Sequence, residues 1–306
     1  MPFFSVIVPV NNKVATLSAS LECLYRQTYR DFEVIAVDDN STDGSLEVLR
    51  QHEKAGLLRL FQLGPKEEGG YAARNLGADK SAGQWLVFFD ADGIMLLDHL
   101  SCFANDIAHN PDIEFFVNAY QKMQGQRRLS YLKAIPKDRL SRFEALSAFA
   151  RFDFIHINGV CISRERFFSL GCFPKGYYRR SGDVYFWLKV LCEVNAVHYN
   201  ATVTSLWILK HEDLIDDKRY FSGLPPGLNF LKEYDYKLTP SERRQFRQVI
   251  NRKVISRAVQ KKKLGQSVRL DLKALTLTGM NIRLWLHAAS LLVPQPYYDQ
   301  LRSRIK

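Results

Sequence analysis

Cysteine is scarce in this 306-residue chain: Cys23, Cys102, Cys161, Cys172 and Cys192 make an odd set with no C-x-x-C spacing. That argues against a disulfide framework or a zinc cluster and fits a reducing, cytoplasmic setting. Also missing is any apolar run of the roughly 18 to 20 residues that crosses a bilayer. The best stretch, Leu284 to Val293, is short and carries His287. No basic segment precedes the first apolar run, so no signal peptide is read in Met1-Pro2-Phe3-Phe4. No G-x-G-x-x-G follows a strand, which disfavours dinucleotide binding. Acidic side chains are nearly absent from one region: residues 237–306 hold 3 against 16 basic, net +13, while residues 1–236 hold 29 against 27, net −2. The overall charge of +11 is a property of the tail.

What is present is an alternation of buried runs and helical periodicity. Phe4 to Val10 reads as a strand, and Val14, Leu17, Leu21 and Leu24 follow at helical spacing. Phe32 to Val37 is a second strand ahead of a helix, Leu57 to Leu63 a third before the helix Tyr71 to Ser81, and Trp85 to Phe89 a fourth. This predicts an α/β fold, a mostly parallel central sheet flanked by helices, with ligands at the carboxyl ends of the strands. Those ends carry Asn11, Asp38, Asp39, Asp90 and Asp92, so acidic groups without local basic partners are expected to meet on one edge.

Farther on, strands are expected at Ile113 to Ala119, Ile155 to Ile162 and Ala201 to Leu209, and helices at Arg142 to Phe152, Arg164 to Leu170 and Ser181 to Leu191. Gly223 to Gly227 reads as a connector. Residues 1–220 are thus expected to form one domain, with a ligand half over about 1–100, and 221–306 a basic, mainly helical extension. Thr239-Pro240-Ser241-Glu242 is a capping-box start, and Gly265 a stop, for a helix with an apolar stripe and a basic remainder. A basic amphipathic helix followed by Trp285, Leu286, Leu291, Leu292, Tyr297 and Tyr298 reads as a membrane-surface element. Packing of the apolar stripe on the rest of the protein is the alternative. A nucleic-acid reader is not expected, because the ligand edge is acidic.

Asp90-Ala91-Asp92, leaving a hydrophobic strand, can present two carboxylates to Mg²⁺ or Mn²⁺, whose remaining ligands come from substrate phosphates. An ordinary acidic turn is the competing reading, and Asp43 suits the capping of the helix after Gly44.

Taken in order, the segments resemble the family 2 glycosyltransferases, inverting enzymes of GT-A fold. Ser5-Val-Ile-Val-Pro-Val10-Asn11-Asn12 is similar to the family's S-V-I-I-P-x-Y-N, with Asn11 where tyrosine is usual. Gln27-Thr28-Tyr29 and Val37-Asp38-Asp39-Asn40-Ser41-Thr42-Asp43-Gly44 match, Asn40 standing for glycine. Ala73-Arg74-Asn75-Leu76-Gly77 and Phe88-Phe89-Asp90-Ala91-Asp92 match, with Gly93 where a third aspartate is common. The resemblance implies transfer from a UDP-sugar to a saccharide or lipid-linked acceptor, in cell-surface polysaccharide synthesis. It places Pro9, Asn11, Asp38, Asp39, Arg74, Asp90 and Ala91 at the nucleotide-sugar, and Asp92 with His211 at the metal. Ser181-Gly182-Asp183-Val184-Tyr185-Phe186-Trp187 keeps the aspartate and tryptophan of G-E-D-x-x-x-W, with Gly182 for the glutamate. Asp183 is the implied catalytic base, with charge complementation at the helix start as its alternative role; Asn158 is a candidate acceptor contact, and Trp187 is either another or a core residue.

Overall fold

A computed structural model describes residues 1–64, 69–129, 135, 137–174, 182–209, 228–295 and 297–298. The first apolar run forms β1 (Phe4–Val10), whose residues are almost all buried, and the helix that follows, α1 (Val14–Tyr25), buries Leu17, Leu21 and Leu24. The pattern repeats through β2 (Phe32–Asp38), α2 (Ser45–Lys54), β3 (Arg59–Gln62), α3 (Gly70–Lys80) and β4 (Trp85–Phe88). These four strands pair in parallel in the order β3-β2-β1-β4. Gly77 of α3 lies so close to β1 that an added Cβ would stand 2.5 Å from Ile7 Cγ2. That contact explains a glycine in the middle of a helix, where its backbone entropy is otherwise a cost.

The sheet then becomes mixed. After β5 (Ile94–Met95) and α4 (His99–His109), the long strand β6 (Phe115–Gln124) turns back on β7 (Arg127–Leu129). β8 (Arg139–Ser141) leads to α5 (Arg142–Arg151). The expected strand from Ile155 opens instead with a 3₁₀ turn, Ile157–Gly159, before β9 (Val160–Ser163). β9 lies between β4 and β6, antiparallel to both. α6 (Arg164–Ser169) and α7 (Gly182–Glu193) precede β10 (Ala196–Ile208), which starts five residues earlier than its apolar pattern indicates and runs parallel to β6. The ten strands form one sheet with helices around it, so the α/β expectation holds, with parallel pairing in β3-β2-β1-β4 and again between β6 and β10, the antiparallel β9 lying between the two parts.

Two compact units emerge: residues 1–141 with 154–210, and residues 142–153 with the chain from 211 on. The expected boundary near residue 220 and the connector Gly223 to Gly227 lie outside the described residues. The second unit contains α5, α8 (Leu228–Tyr234), α9 (Pro240–Lys263), α10 (Arg269–Lys273) and α11 (Ile282–Leu292). Thr239 and Glu242 close the capping box, and Gly265 ends the segment at φ +68°. The stripe of α9 is buried inside its own unit: Ile255 and Ala258 join Met280, Leu284, Ala288, Leu291 and Tyr298 in one cluster. Its cations are largely engaged. Arg243 and Arg247 meet Asp235, Arg252 and Lys253 meet Asp153, and Arg257 and Lys261 meet the fully buried Asp271. Lys262 donates to the carbonyls of Leu291 and Val293 at the end of α11. Much of the tail's basicity is thus structural. No helix among the described residues is long and apolar enough to cross a membrane.

One buried histidine makes the first unit acid-sensitive. His99, fully buried on α4 against Phe103, has Nδ1 2.7 Å from Thr204 Oγ1, and burial lowers its pKa to about 3. The folded state keeps the ring neutral, whereas the unfolded chain takes up a proton below about pH 6.5. Stability is therefore complete above that value and is lost as pH falls toward 3. Between pH 7 and pH 5 this group alone is expected to remove about 2 kcal/mol. Chemical denaturation should show that loss in the parent chain and a visibly flatter pH dependence in His99→Gln.

Candidate active site

The register Val10↔Asp38 and Ile7↔Phe88 makes β1, β2 and β4 release their chains along one edge. Pro9 suits its place there: β1 extends past the end of its pairing with β4, so a missing N–H costs no ladder bond on that side. The turns after β1 and β2 are tied together. Asn11 Nδ2 donates to the Asp39 carbonyl at 2.5 Å, Asp39 N donates to the Val10 carbonyl at 2.7 Å, and Asn12 Oδ1 accepts from Thr42 N at 2.8 Å. Asn12 and Asn40 sit at φ +51° and +55°. Asparagine tolerates this left-handed region better than most residues, which accounts for Asn40 at a position that otherwise favours glycine. Asp43 caps both neighbouring helices, accepting from Val14 N and Ser45 N.

The carboxylates differ in burial. Asp38 is 1 % exposed and binds Ser41 N through Oδ2, while Oδ1 is buried without a partner. Its Oδ2 thereby braces the turn after β2. Asp39 is 7 % exposed and accepts from Gly69 N at 2.9 Å. The Asp90–Asp92 turn is pinned from three sides: Asn158 Oδ1 accepts from Asp90 N at 2.9 Å, Thr16 Oγ1 donates to the Ala91 carbonyl, and Ser20 Oγ donates to the Gly93 carbonyl. The Ala91 methyl is in the core. Any Cβ on Gly93 would overlap Asn158 Nδ2, so a third aspartate has no room. Asn158, itself 1 % exposed, therefore acts on the turn and has no surface for an acceptor.

The expectation of unpartnered acids on this edge is corrected. Lys13 Nζ lies 2.5 Å from Asp92 Oδ2, and Arg74 Nη2 pairs with Asp90 Oδ1. Burial works against the Arg74 charge, but Asp90 first, then Tyr71 and Asp183, outweigh it and hold the guanidinium above its ordinary pKa. Tyr71, one helical turn before Arg74, donates through its hydroxyl to Asp183 Oδ1 at 3.0 Å and accepts from Gly182 N at 2.8 Å. Burial, then the Asp183 charge, push its phenol far above the usual range, so it stays a donor. Asp183, at the start of α7, is thereby joined to Asp90 through Tyr71 and Arg74. His156 belongs to the same cluster: burial lowers its pKa, Asp90 and Asp183 oppose that, and its ring is stacked between Tyr120 and Trp207. Trp187, by contrast, is fully buried and stacked on Phe115, so it is a core residue.

Lys13 and Tyr71 escape the sequence reading. Lys13 follows a recognised segment, but its pairing with Asp92 spans 79 positions, and Tyr71 reads only as a helix start. His211 lies outside the described residues. Among the described residues no three His, Cys, Asp or Glu side chains gather at metal-binding distance. The donor set nevertheless fits a hard cation that takes one or two carboxylates and completes its shell with phosphate and water.

Comparison with known proteins bears on this edge. The family model described as Glycosyl transferase family 2 matches residues 5–166. The amylovoran biosynthesis glycosyltransferase AmsB of Erwinia amylovora is 29% identical over 180 residues, 53% of this chain and 56% of that protein. A PGL/p-HBAD biosynthesis glycosyltransferase of Mycobacterium bovis is 40% identical over 91 residues, 30% of this chain and 36% of its own length. The chain thus spans about half or less of these curated relatives. Among solved structures, S. aureus TarS 1-349 in complex with UDP-GlcNAc aligns over 94% of this chain and 79% of its own, with TM-score 0.58 and 15% identity. The mannosyltransferase PcManGT from Pyrobaculum calidifontis, in complex with GDP-Man and Mn²⁺, covers 99% and 83%, with TM-score 0.58 and 18% identity. At such identities the likeness is one of fold, and it is the GT-A fold.

The Tyr71 hydroxyl serves two groups of the α7 start. Tyr71→Phe leaves both without it and is expected to cost about 1–3 kcal/mol, with faster amide exchange at the first turn of α7. Denaturation together with hydrogen exchange would check this.

Proposed function

The chain belongs to glycosyl transferase family 2, and on that premise we propose that it transfers a sugar with inversion from a UDP-sugar to a saccharide or lipid-linked saccharide acceptor of cell-surface polysaccharide synthesis. The observation that carries the reading is the connection Asp183–Tyr71–Arg74–Asp90, which ties the base candidate to the two-aspartate turn.

In this reading Asp39 accepts from the base N–H of uracil, beside Pro9 and Asn11. Arg74 faces the diphosphate as well as Asp90, a role suited to a guanidinium fork. Asp92, with His211, would hold Mn²⁺ or Mg²⁺, which when bound neutralises charge building on the departing diphosphate. Lys13 would then leave Asp92 and turn to the phosphates. The acceptor hydroxyl attacks the anomeric carbon from the face opposite the nucleotide. As the new C–O bond forms, the old one breaks, its electron pair leaving with UDP, and Asp183 takes the hydroxyl proton. Tyr71 holds Asp183 Oδ1 and leaves Oδ2 for that proton. The +13 region 237–306 serves to bring the enzyme to an anionic membrane surface that carries the acceptor.

A UDP-release screen over UDP-sugars, with Mn²⁺ present or chelated, tests the whole reading. Release with none of them would overturn it. Asp92→Asn is expected to lower metal-dependent release by about 100-fold or more. Asp183→Asn should lower transfer by about 10²–10⁴-fold while UDP binding, followed by calorimetry, stays as in the parent; retained transfer would remove Asp183 from its role.

A further inference from the structure

Helix α11 is apolar around more than half of its circumference. Leu284, Ala288 and Leu291 face the buried cluster with α9. At 100° per residue, Ile282, Trp285, Leu286, Ala289 and Leu292 form a second stripe directed away from them, and these residues are exposed, Ile282 by 81 %, Trp285 by 51 %, Leu286 by 66 % and Leu292 by 74 %. Only Arg283, His287 and Ser290 make a narrow polar strip. A surface helix ordinarily has one apolar face, and a contiguous exposed one marks an interaction site.

The stripe begins beside a basic cleft of the same unit. Pro240, Arg243, Arg244, Arg247, Leu277 and Met280 line a hollow of about 550 Å³, and Met280 is two residues before Ile282. Asp235 engages Arg247 through both oxygens, at 2.7 and 2.5 Å, and lies 3.5 Å from Arg243. Arg244 is exposed, and among the described residues it forms no ion pair, so the cleft keeps a net positive charge. Leu277, on its wall, is 75 % exposed.

We propose that this face docks on an anionic lipid bilayer, the α11 stripe entering the interfacial layer while the arginine cleft receives a phospholipid headgroup phosphate. Two observations select lipid over a second copy of the chain. The arginine cleft keeps a net positive charge after its pairing with Asp235, so apposing two such faces brings like charges together, whereas an anionic leaflet offsets them. The stripe also joins aliphatic side chains to Trp285, a residue type that settles at the membrane–water boundary. The inference deepens the membrane part of the proposed function and rests on that reading of the C-terminal region, but lipid binding is measurable apart from sugar transfer.

The test is co-sedimentation of the full chain with vesicles of phosphatidylcholine alone or mixed with phosphatidylglycerol, with nucleotide binding of every variant followed in parallel without lipid. The parent is expected to partition to the mixed vesicles and not to the neutral ones. The double substitution Trp285→Ser with Leu286→Ser, on exposed positions, should weaken partitioning by about tenfold or more, and Arg244→Glu should weaken it with a shallower salt dependence, nucleotide binding being unchanged in both. No partitioning of the parent, or equal partitioning of the double variant, would overturn the proposal. So would a lipid-free dimer that the double substitution turns into a monomer, since the stripe would then be a protein interface. If lipid binding follows the expectation while no UDP-sugar is consumed, it is the catalytic reading that fails.

Discussion

The in-register parallel pairing of β1 with β2 and β4 is the constraint on which the candidate site depends. Parallel strands joined by right-handed crossovers place all their carboxyl ends on one side. Two acidic turns separated by some fifty residues of sequence thereby become neighbours. Such a gathering of carboxylates would repel itself. The fold meets this by bringing Lys13 from the loop after β1 and Arg74 from α3, each facing one aspartate of the Asp90–Asp92 turn. The cations that balance these carboxylates are, in the proposed function, also those that meet the diphosphate.

The same solution recurs in the second unit. Asp235, Asp153 and Asp271 come from three separate segments, and each is met by two cations of α9. A buried carboxylate is tolerated only when paired and hydrogen-bonded, so α9 acts as a rod that fixes three segments by charge as well as by its apolar stripe. The composition of the tail therefore overstates the charge available at its surface.

Much of the first half was legible because buried β-branched runs and strand-end aspartates are local signals. The turn at Asn40 was visible as a departure from glycine, and its positive φ supplies the reason. Less was legible where the decisive partner is remote. The pairing of Asp153 with Arg252 spans 99 positions and that of Tyr71 with Asp183 spans 112, and no periodicity reports such distances. The antiparallel insertion of β9 was hidden because an apolar run does not encode direction. Trp187 is ambiguous in the sequence because a tryptophan one turn beyond an aspartate looks the same whether it lines a pocket or fills a core, and its burial decides for the core. The apolar residues of the tail were seen as a group, but only the helix geometry separates Leu291 and Tyr298, buried, from Trp285, Leu286, Leu292 and Tyr297, exposed.

The bridge formed by Tyr71 has a consequence for how enzymes of this fold diversify. Here the aspartate at the start of α7 is oriented by a side chain from α3, within the first hundred residues. A recombinant that joined this first hundred residues to a foreign second half would inherit a tyrosine aimed at a partner it no longer has. The two halves are thus bound to drift together at this one hydroxyl, a modular fold with a seam that cannot be cut cleanly.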